Sequence, residues 1–207
     1  MSNKPYFVQR LSAFILDVIL VSFVASLVVS PFLDTDSITK LQESSAELSQ
    51  EYVNKEISTM TFFTEYKTLA FENAKKTGLL SIITVLFDIS YFVVLQFYFK
   101  GQTIGKKITK IRVENIEGDL TINNLVFRSL IINSLFCNMV SLCFMVSGNA
   151  DVYFFGSITF ELINIMLLTI CGFMVMFGKS GRGLHDYLGH TRVVRTNLVE
   201  EKELCES

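Results

Sequence analysis

The chain has 207 residues, of which half are apolar, 19 are Phe and only 18% are charged. Soluble proteins carry about 25% charged residues, so this composition excludes an ordinary soluble domain and indicates a membrane protein. The formal net charge of −2 does not point to a charged macromolecule, and we expect no nucleic-acid partner.

Four apolar segments are long enough to cross a bilayer core about 30 Å thick as α-helices. They cover residues 11–33, 79–99, 125–147 and 152–177. Helices are favoured because an open strand would leave its backbone hydrogen-bonding groups unpaired in lipid. Each segment contains a single ionisable residue, in order Asp17, Asp88, Arg128 and Glu161. The predicted fold is an all-α membrane protein, a four-transmembrane-helix bundle whose single domain covers residues 1–199 and precedes a polar tail at 200–207.

The first segment has an alternative interpretation, a signal peptide behind Lys4 and Arg10. Its apolar core is longer than the roughly 7–15 residues usual for a signal peptide, Asp17 interrupts it, and Pro31 stands where cleavage would occur. We therefore expect this helix to be retained.

The polar segment 34–78 is patterned like helix. Apolar or small residues recur at steps of three and four positions, at Ile38, Leu41, Ser45, Leu48 and Tyr52. This spacing predicts one or two amphipathic helices outside the membrane, packed on each other or on a second copy of the protein.

Positive charge is distributed unevenly among the predicted loops. Most of the 18 Lys and Arg residues lie near the N-terminus, in the loop 100–124 and after residue 177, whereas segment 34–78 is net acidic. The positive-inside rule therefore predicts that both termini and loop 100–124 are cytoplasmic and that segment 34–78 is extracytoplasmic.

Loop 100–124 contains β-branched residues and a turn signal. Ile111 and Val113 favour a strand, and the turn at 117–119 precedes a second short run at 120–122, so we expect a small cytoplasmic β hairpin. The strand-like residues 191–194 could pair with this strand and cover its edge. A phosphate-binding loop is disfavoured because the glycine spacing is one residue short and no Ser or Thr follows Lys106.

The Cys and His residues do not form a metal site in the sequence. The four Cys residues contain no C-x-x-C pair, and His185 and His190 are five positions apart, a poor spacing for sharing a ligand on one helical face. We expect no metal, no cofactor and a structural or hydrogen-bonding role for His185.

Three stretches together resemble the RDD family of integral membrane proteins. They are Arg10, Ala13 and Asp17 in the first helix, GQTIGKKITKIRV after the second, and GLHDYLGHTRVV near the end. The resemblance assigns the one Arg and two Asp that give the family its name to Arg10, Asp17 and Asp186. It also matches Arg128 early in the third helix, and it matches the family's G-x-T-x-G-K segment to Gly101, Thr103, Gly105 and Lys106. The long segment 34–78 departs from the family pattern, as does Lys110 where the family often has Gly.

The charged residues suggest particular partners. Arg10 and Asp17 lie on one face of a helix but roughly 10 Å apart along it, so each needs a partner from elsewhere. We expect Asp186 to contact Arg10 and Arg128 to contact Asp17 as a structural lock. Asp88 and Glu161 lie near mid-helix, where an unpaired charge costs about 2.5–3.5 kcal/mol. They either line a wet cavity as proton carriers or stay protonated and hydrogen-bonded between helices.

The family resemblance implies transport of solutes or ions, including exchange of Na⁺ or K⁺ for H⁺. We therefore expect a multi-pass cell-membrane transporter for a small cation or other small solute, working as a homo-oligomer, with Asp17, Asp88 and Glu161 as proton carriers. The alternative is a non-transporting scaffold protein that binds lipids or protein partners through its basic cytoplasmic face. An enzyme is disfavoured because the sequence has no catalytic or cofactor motif.

Overall fold

The computed structural model describes residues 5–196, which form nine helices and two strands. The helices are α1 (Phe7–Val29), α2 (Thr35–Val53), α3 (Thr59–Ile89), α4 (Gln96–Tyr98), α5 (Ile104–Ile108), α6 (Ile122–Ile132), α7 (Leu135–Val146), α8 (Ala150–Phe177) and α9 (Leu184–Leu188). The strands are β1 (Ile111–Asn115) and β2 (Thr191–Arg195). The predicted tail 200–207 lies outside the described residues.

Three helical stretches are long and apolar enough to cross a membrane. They are Phe7–Phe32, which is α1 with a 3-10 turn, then Thr59–Tyr98, and then Ala150–Phe177. Most of their apolar side chains face outward, as the side chains of a lipid-facing helix do. The chain is therefore a membrane protein with three such helices among its described residues, and a bent helix pair would make a fourth crossing.

That bent pair corrects the third predicted helix. Residues 125–147 do not form one helix: α6 ends at Ile132 and α7 begins at Leu135, with a bend of 68° between them. Ser134 adopts a left-handed backbone conformation with φ of 55°, and a right-handed α-helix cannot continue through such a residue. The Ser134 hydroxyl exchanges hydrogen bonds with the amide of Asn164 on α8 at 2.8 and 3.0 Å, which provides polar partners at the break.

The second predicted helix begins about 20 residues earlier than expected. Helix α3 starts at Thr59, where Ser58 caps it, and continues through a π-helical segment (Ser90–Leu95) into α4. The helix therefore begins in the polar segment 34–78 and continues into the predicted membrane segment 79–99. Helix α2 packs antiparallel on the first half of α3 through Leu41 and Leu48, as expected for amphipathic helices packed on each other.

The two strands pair with each other as an antiparallel ladder, with Val113 opposite Val193. The predicted pairing of 191–194 with the first strand is confirmed, but the predicted hairpin within loop 100–124 is wrong. Residues 120–122 are not a strand, because the Thr121 side chain accepts a hydrogen bond from the amide of Asn124 and starts α6. The sheet covers a small core formed with α1, the π-helical segment and α6; its members are Ala13, Val93, Ile111, Val113, Leu125 and Val193.

Both ends of the described chain lie at the sheet end of the bundle. The guanidinium of Arg195 stacks over the ring of Tyr6 at 4.4 Å. At the opposite end, Lys67 of α3 forms an ion pair with Asp151 at the start of α8. The bundle thus has two ends, a sheet end formed around β1 and β2 and a hairpin end formed by the helical hairpin of α2 and α3.

Candidate functional site

Asp186 is the centre of a buried ionic cluster at the sheet end. Its side chain is fully buried, and its Oδ2 accepts hydrogen bonds from Nη1 of Arg10 at 3.0 Å and from the amide of Gly183 at 3.1 Å. Its Oδ1 accepts from Nη1 of Arg128. Burial favours the neutral acid, but the charges of Arg128 and Arg10 outweigh burial and hold the pKa of Asp186 well below its usual range.

This cluster confirms one predicted contact and corrects another. The expected pair of Arg10 and Asp186 is present. The expected contact of Arg128 with Asp17 is wrong, since Arg128 pairs with Asp186 instead. The short helix α9 places Asp186 beside α6, which brings one carboxylate between two guanidinium groups from different helices.

A third arginine, missed by the sequence reasoning, supports the same segment. Nε of Arg182 donates to the carbonyl of Thr191 at 3.0 Å, and its Nη2 donates to the carbonyl of Asp186 at 3.2 Å. Its guanidinium also lies over the ring of Tyr187 at 4.1 Å. The only signal in the sequence was its position between two glycines just before the HD dipeptide.

Asp17 is buried in a separate polar contact, between α1 and loop 100–124. Its Oδ1 accepts from the hydroxyl of Tyr91 at 2.6 Å and from the amide of Gly105 at 2.7 Å. Its Oδ2 accepts from the hydroxyl of Thr103 at 2.5 Å. Three uncharged donors therefore satisfy this carboxylate, and it fixes α5 against α1.

Glycines allow the backbone to approach this closely. A Cβ atom on Gly105 would lie 2.4 Å from the carbonyl oxygen of Ala13 and 2.8 Å from Oδ1 of Asp17. Gly101 has φ of +87°, and a Cβ there would lie 1.9 Å from the carbonyl oxygen of Val113. The family segment 101–106 is thus a tight backbone connection, with Thr103 capping α5.

Lys106 and His185 lie beside the two carboxylates. Nζ of Lys106 donates to Oε1 of Gln96 at 2.8 Å, and burial together with the charge of Arg128 lowers the pKa of Lys106 to about 7. Nε2 of His185 is 3.6 Å from Oδ1 of Asp186. Burial lowers the pKa of His185 to about 3, so its imidazole is neutral at pH 7.

These side chains border a cavity of about 250 Å³ between α1, the π-helical segment, α6 and α8. Its polar lining residues are Arg10, Asp17, Gln96, Lys106, Arg128, Ser129, Asn133 and His185. Its other walls are apolar, with Phe7, Leu11 and Phe14 on α1 facing Leu168 and Val175 on α8. Of the predicted proton carriers, only Asp17 lines this cavity.

Asp88 and Glu161 lie apart from the cavity. Asp88 is half-buried on α3, one turn before Tyr91, and within residues 5–196 no side chain donates a hydrogen bond to it. Glu161 is exposed on the outer surface of α8. The structure therefore brings together Arg10, Arg128, Asp186 and His185. It does not bring the three predicted proton carriers, Asp17, Asp88 and Glu161, into one cavity.

Two further contributors, Tyr91 and Gln96, were not singled out from the sequence. Both are polar side chains in the mostly apolar segment 79–99, and both are buried. That mismatch was the signal that could have identified them. For metals, the described part of the chain contains no group of three or more His, Cys, Asp or Glu side chains placed to share an ion.

Comparison with known proteins gives one match. The family model described as the RDD family matches residues 4–190, which is most of the chain. No curated protein and no solved structure matches the chain.

Proposed function

This chain belongs to the RDD family of membrane proteins, and from that premise we propose that it transports a small solute or ion across the cell membrane. The proposal extends the resemblance, which implies transport without naming one substrate. It includes no enzymatic activity. The observation that carries it is the break between α6 and α7.

The break places non-helical backbone next to a cavity. Asn133 lines the cavity, and Ser134, the next residue, has the left-handed backbone conformation that breaks the helix. Irregular backbone at membrane depth is tolerated where it lines a cavity or is buried in protein, and broken helices commonly form the binding sites of transporters. A solute-binding site beside Asn133 is therefore the arrangement that transport requires.

Exchange of Na⁺ or K⁺ for H⁺ would need a carboxylate that is free to change its protonation state. Asp17 suits this role poorly because three donors already satisfy it. Asp88 suits it better, since it is half-buried, has no hydrogen-bond donor among the described side chains and lies two residues before the π-helical segment. Such π-helical turns occur frequently at functional sites. We therefore assign the proton-carrying role first to Asp88.

Glu161 supports the proposal of a homo-oligomer. Its carboxylate is exposed on the apolar helix α8, where lipid would otherwise surround it. An unpaired charge at that depth costs about 2.5–3.5 kcal/mol. A second copy packed on this face would shield Glu161 and thicken the walls of the bundle.

The test is flux through the purified protein in proteoliposomes. We expect Na⁺- or K⁺-dependent proton movement that Asp88→Asn reduces at least tenfold, which is about 1.4 kcal/mol of barrier. Asp17→Asn and Glu161→Gln test the other two predicted carriers. Asp119→Asn, at an exposed loop position, is the matched control and should transport like the unchanged protein.

Two outcomes would contradict the proposal at different levels. Undiminished flux in all three variants, Asp17→Asn, Asp88→Asn and Glu161→Gln, would reject the carboxylate mechanism. A folded protein that moves none of a panel of ions and small solutes would reject transport and leave the scaffold role.

A further inference from the structure

The described residues place more basic than acidic side chains around the cavity. Arg10, Lys106 and Arg128 line it, and an anion bound beside Lys106 would favour the charged form of a side chain whose pKa burial lowers to about 7. Two carboxylates lie near them, and of these Asp186 is shared by two guanidinium groups while Asp17 is occupied by three uncharged donors. The charges of this site therefore favour an anion over a cation.

Three of the lining side chains also carry a buried polar atom that has no hydrogen-bond partner within residues 5–196. They are Nε of Arg10, Nδ2 of Asn133 and Nδ1 of His185. Buried polar groups are nearly always hydrogen-bonded, to protein, to ordered water or to a ligand that displaces the water. Two of these atoms are donors, Nε of Arg10 and Nδ2 of Asn133, which suits an oxygen-rich acceptor.

The rest of the cavity is unsuited to water or to a free inorganic ion. A volume of about 250 Å³ would hold roughly eight waters at liquid density, and each ordered water needs two to four polar partners. The walls formed by Phe7, Leu11, Phe14, Leu168 and Val175 provide none. Those side chains recur at helical spacing on facing sides of α1 and α8, which makes an apolar slot beside the charged groups.

We propose that this cavity binds an anionic amphiphile: its phosphate or carboxylate head contacts Arg10, Arg128 and Lys106, and its hydrocarbon chain lies between α1 and α8. The guanidinium groups present paired donors that fit an oxyanion. The apolar slot explains why the ligand carries a chain. This binding is a property separate from transport and is measured without any flux.

The absence of Trp from the sequence allows a direct binding assay. Leu168→Trp places the only Trp in the cavity wall, and lipids with brominated acyl chains quench Trp that they contact. We expect brominated phosphatidic acid, present as a minor component in phosphatidylcholine vesicles, to quench this Trp more strongly than an equal fraction of brominated phosphatidylcholine. Ile170→Trp, exposed on the outer surface of α8, is the reporter control and should show no head-group preference.

Two variants test the head and chain contacts within the Leu168→Trp background. Lys106→Gln removes one positive charge and should weaken the preference for phosphatidic acid about tenfold, as expected for a lost charged hydrogen bond. Lys107→Gln, an exposed neighbour, should leave it unchanged.

Gly172→Leu fills the cavity from α8, where an added Cβ meets no atom within 4 Å, so the variant should fold and lose the selective quenching. Thr169→Leu, exposed on the same helix, controls for added bulk.

Further arms separate the possible sources of the anion. A brominated fatty acid tests the carboxylate head, and selective quenching by either anionic lipid supports the proposal. Equal quenching by anionic and zwitterionic lipids would overturn it. If inorganic phosphate protects the protein against thermal unfolding while neither anionic lipid shows selectivity, the site binds a soluble anion and the amphiphile is rejected.

Discussion

A single carboxylate, Asp186, organises the sheet end of this protein. It lies between Arg10 near the N-terminus and Arg128 in the middle of the sequence, and so it ties α1, α6 and the C-terminal segment together. Buried ion pairs contribute little net stability when complete, but removing one partner leaves an uncompensated charge that costs about 3–5 kcal/mol. The family's Arg and Asp are therefore most simply understood as a structural lock.

His185 makes stability depend on pH. Its folded pKa of about 3 lies below the 6.5 of an exposed His, so the unfolded chain binds more protons between these values. Stability supplied by the neutral imidazole is complete above pH 6.5 and is lost as pH falls. We expect the protein to lose about 2 kcal/mol between pH 8 and pH 5 that the His185→Gln variant does not lose. Chemical unfolding in detergent at each pH measures this.

The control for that experiment is His190→Gln, which changes an exposed side chain. It should keep the pH dependence of the unchanged protein. If His185→Gln loses as much stability between pH 8 and pH 5 as the unchanged protein does, the imidazole is protonated in the folded protein at pH 5. The lowered pKa of His185 would then be wrong.

The sequence alone was sufficient to predict some of these side-chain contacts but not others. Arg10 and Asp186 were predictable because the motifs placed both near the membrane surface. The partners of Arg128 and Asp17 were not, because the depth of each side chain depends on how α9 and α5 pack. Three neutral donors to Asp17, among them a backbone amide, leave no charge pattern to detect.

Among the elements, α5 depends most directly on a single residue. Gly105 lets this short helix contact α1, and any side chain there would clash with the carbonyl of Ala13. We expect Gly105→Ala to destabilise the protein by about 1–3 kcal/mol, the usual cost of overpacking, and to disturb the Asp17 contact. Thermal unfolding of the purified variant in detergent provides the measurement.

Gly172→Ala is the matched substitution, because its added Cβ meets open space on the long helix α8. It should be neutral or stabilise by up to about 1 kcal/mol, since Ala favours helix over Gly. Equal effects of the two variants would show that close packing at Gly105 does not matter.

Elements were predictable where local pattern determined them. The amphipathic spacing of segment 34–78 identified α2, and the β-branched residues identified β1 and its partner β2. The break at Ser134 was missed because segment 125–147 is long and apolar enough for one span, although Asn133 and Ser134 are themselves polar. A helix in the second half of segment 34–78 was among the predictions, but its continuation into the membrane segment as the single helix α3 was missed. The composition changes from polar to apolar at residue 79, whereas helix propensity does not change there.

For the whole molecule, the contact of Tyr6 with Arg195 supports an even number of membrane crossings. We expect the sheet end to be cytoplasmic and the hairpin end external. In a variant lacking the native Cys residues, Lys55→Cys should react with a membrane-impermeant maleimide on intact cells. Lys179→Cys, at the C-terminal end of α8, should react only after permeabilisation.

Lys40→Cys on α2 is a second external control for the same labelling. Reaction of both Lys55→Cys and Lys179→Cys on intact cells would place the turn between α2 and α3 on the same side as the C-terminal end of α8 and contradict four crossings. Labelling of Lys179→Cys alone would invert the predicted orientation.

Helix α3 with its continuation to Tyr98 is 40 residues long, about 60 Å at the α-helical rise, which is twice the thickness of the bilayer core. One continuous helix thus joins the turn between α2 and α3 to Tyr91, whose hydroxyl donates to Asp17. A partner that bound and shifted the α2–α3 hairpin would therefore act on the same helix that holds the buried carboxylate of α1.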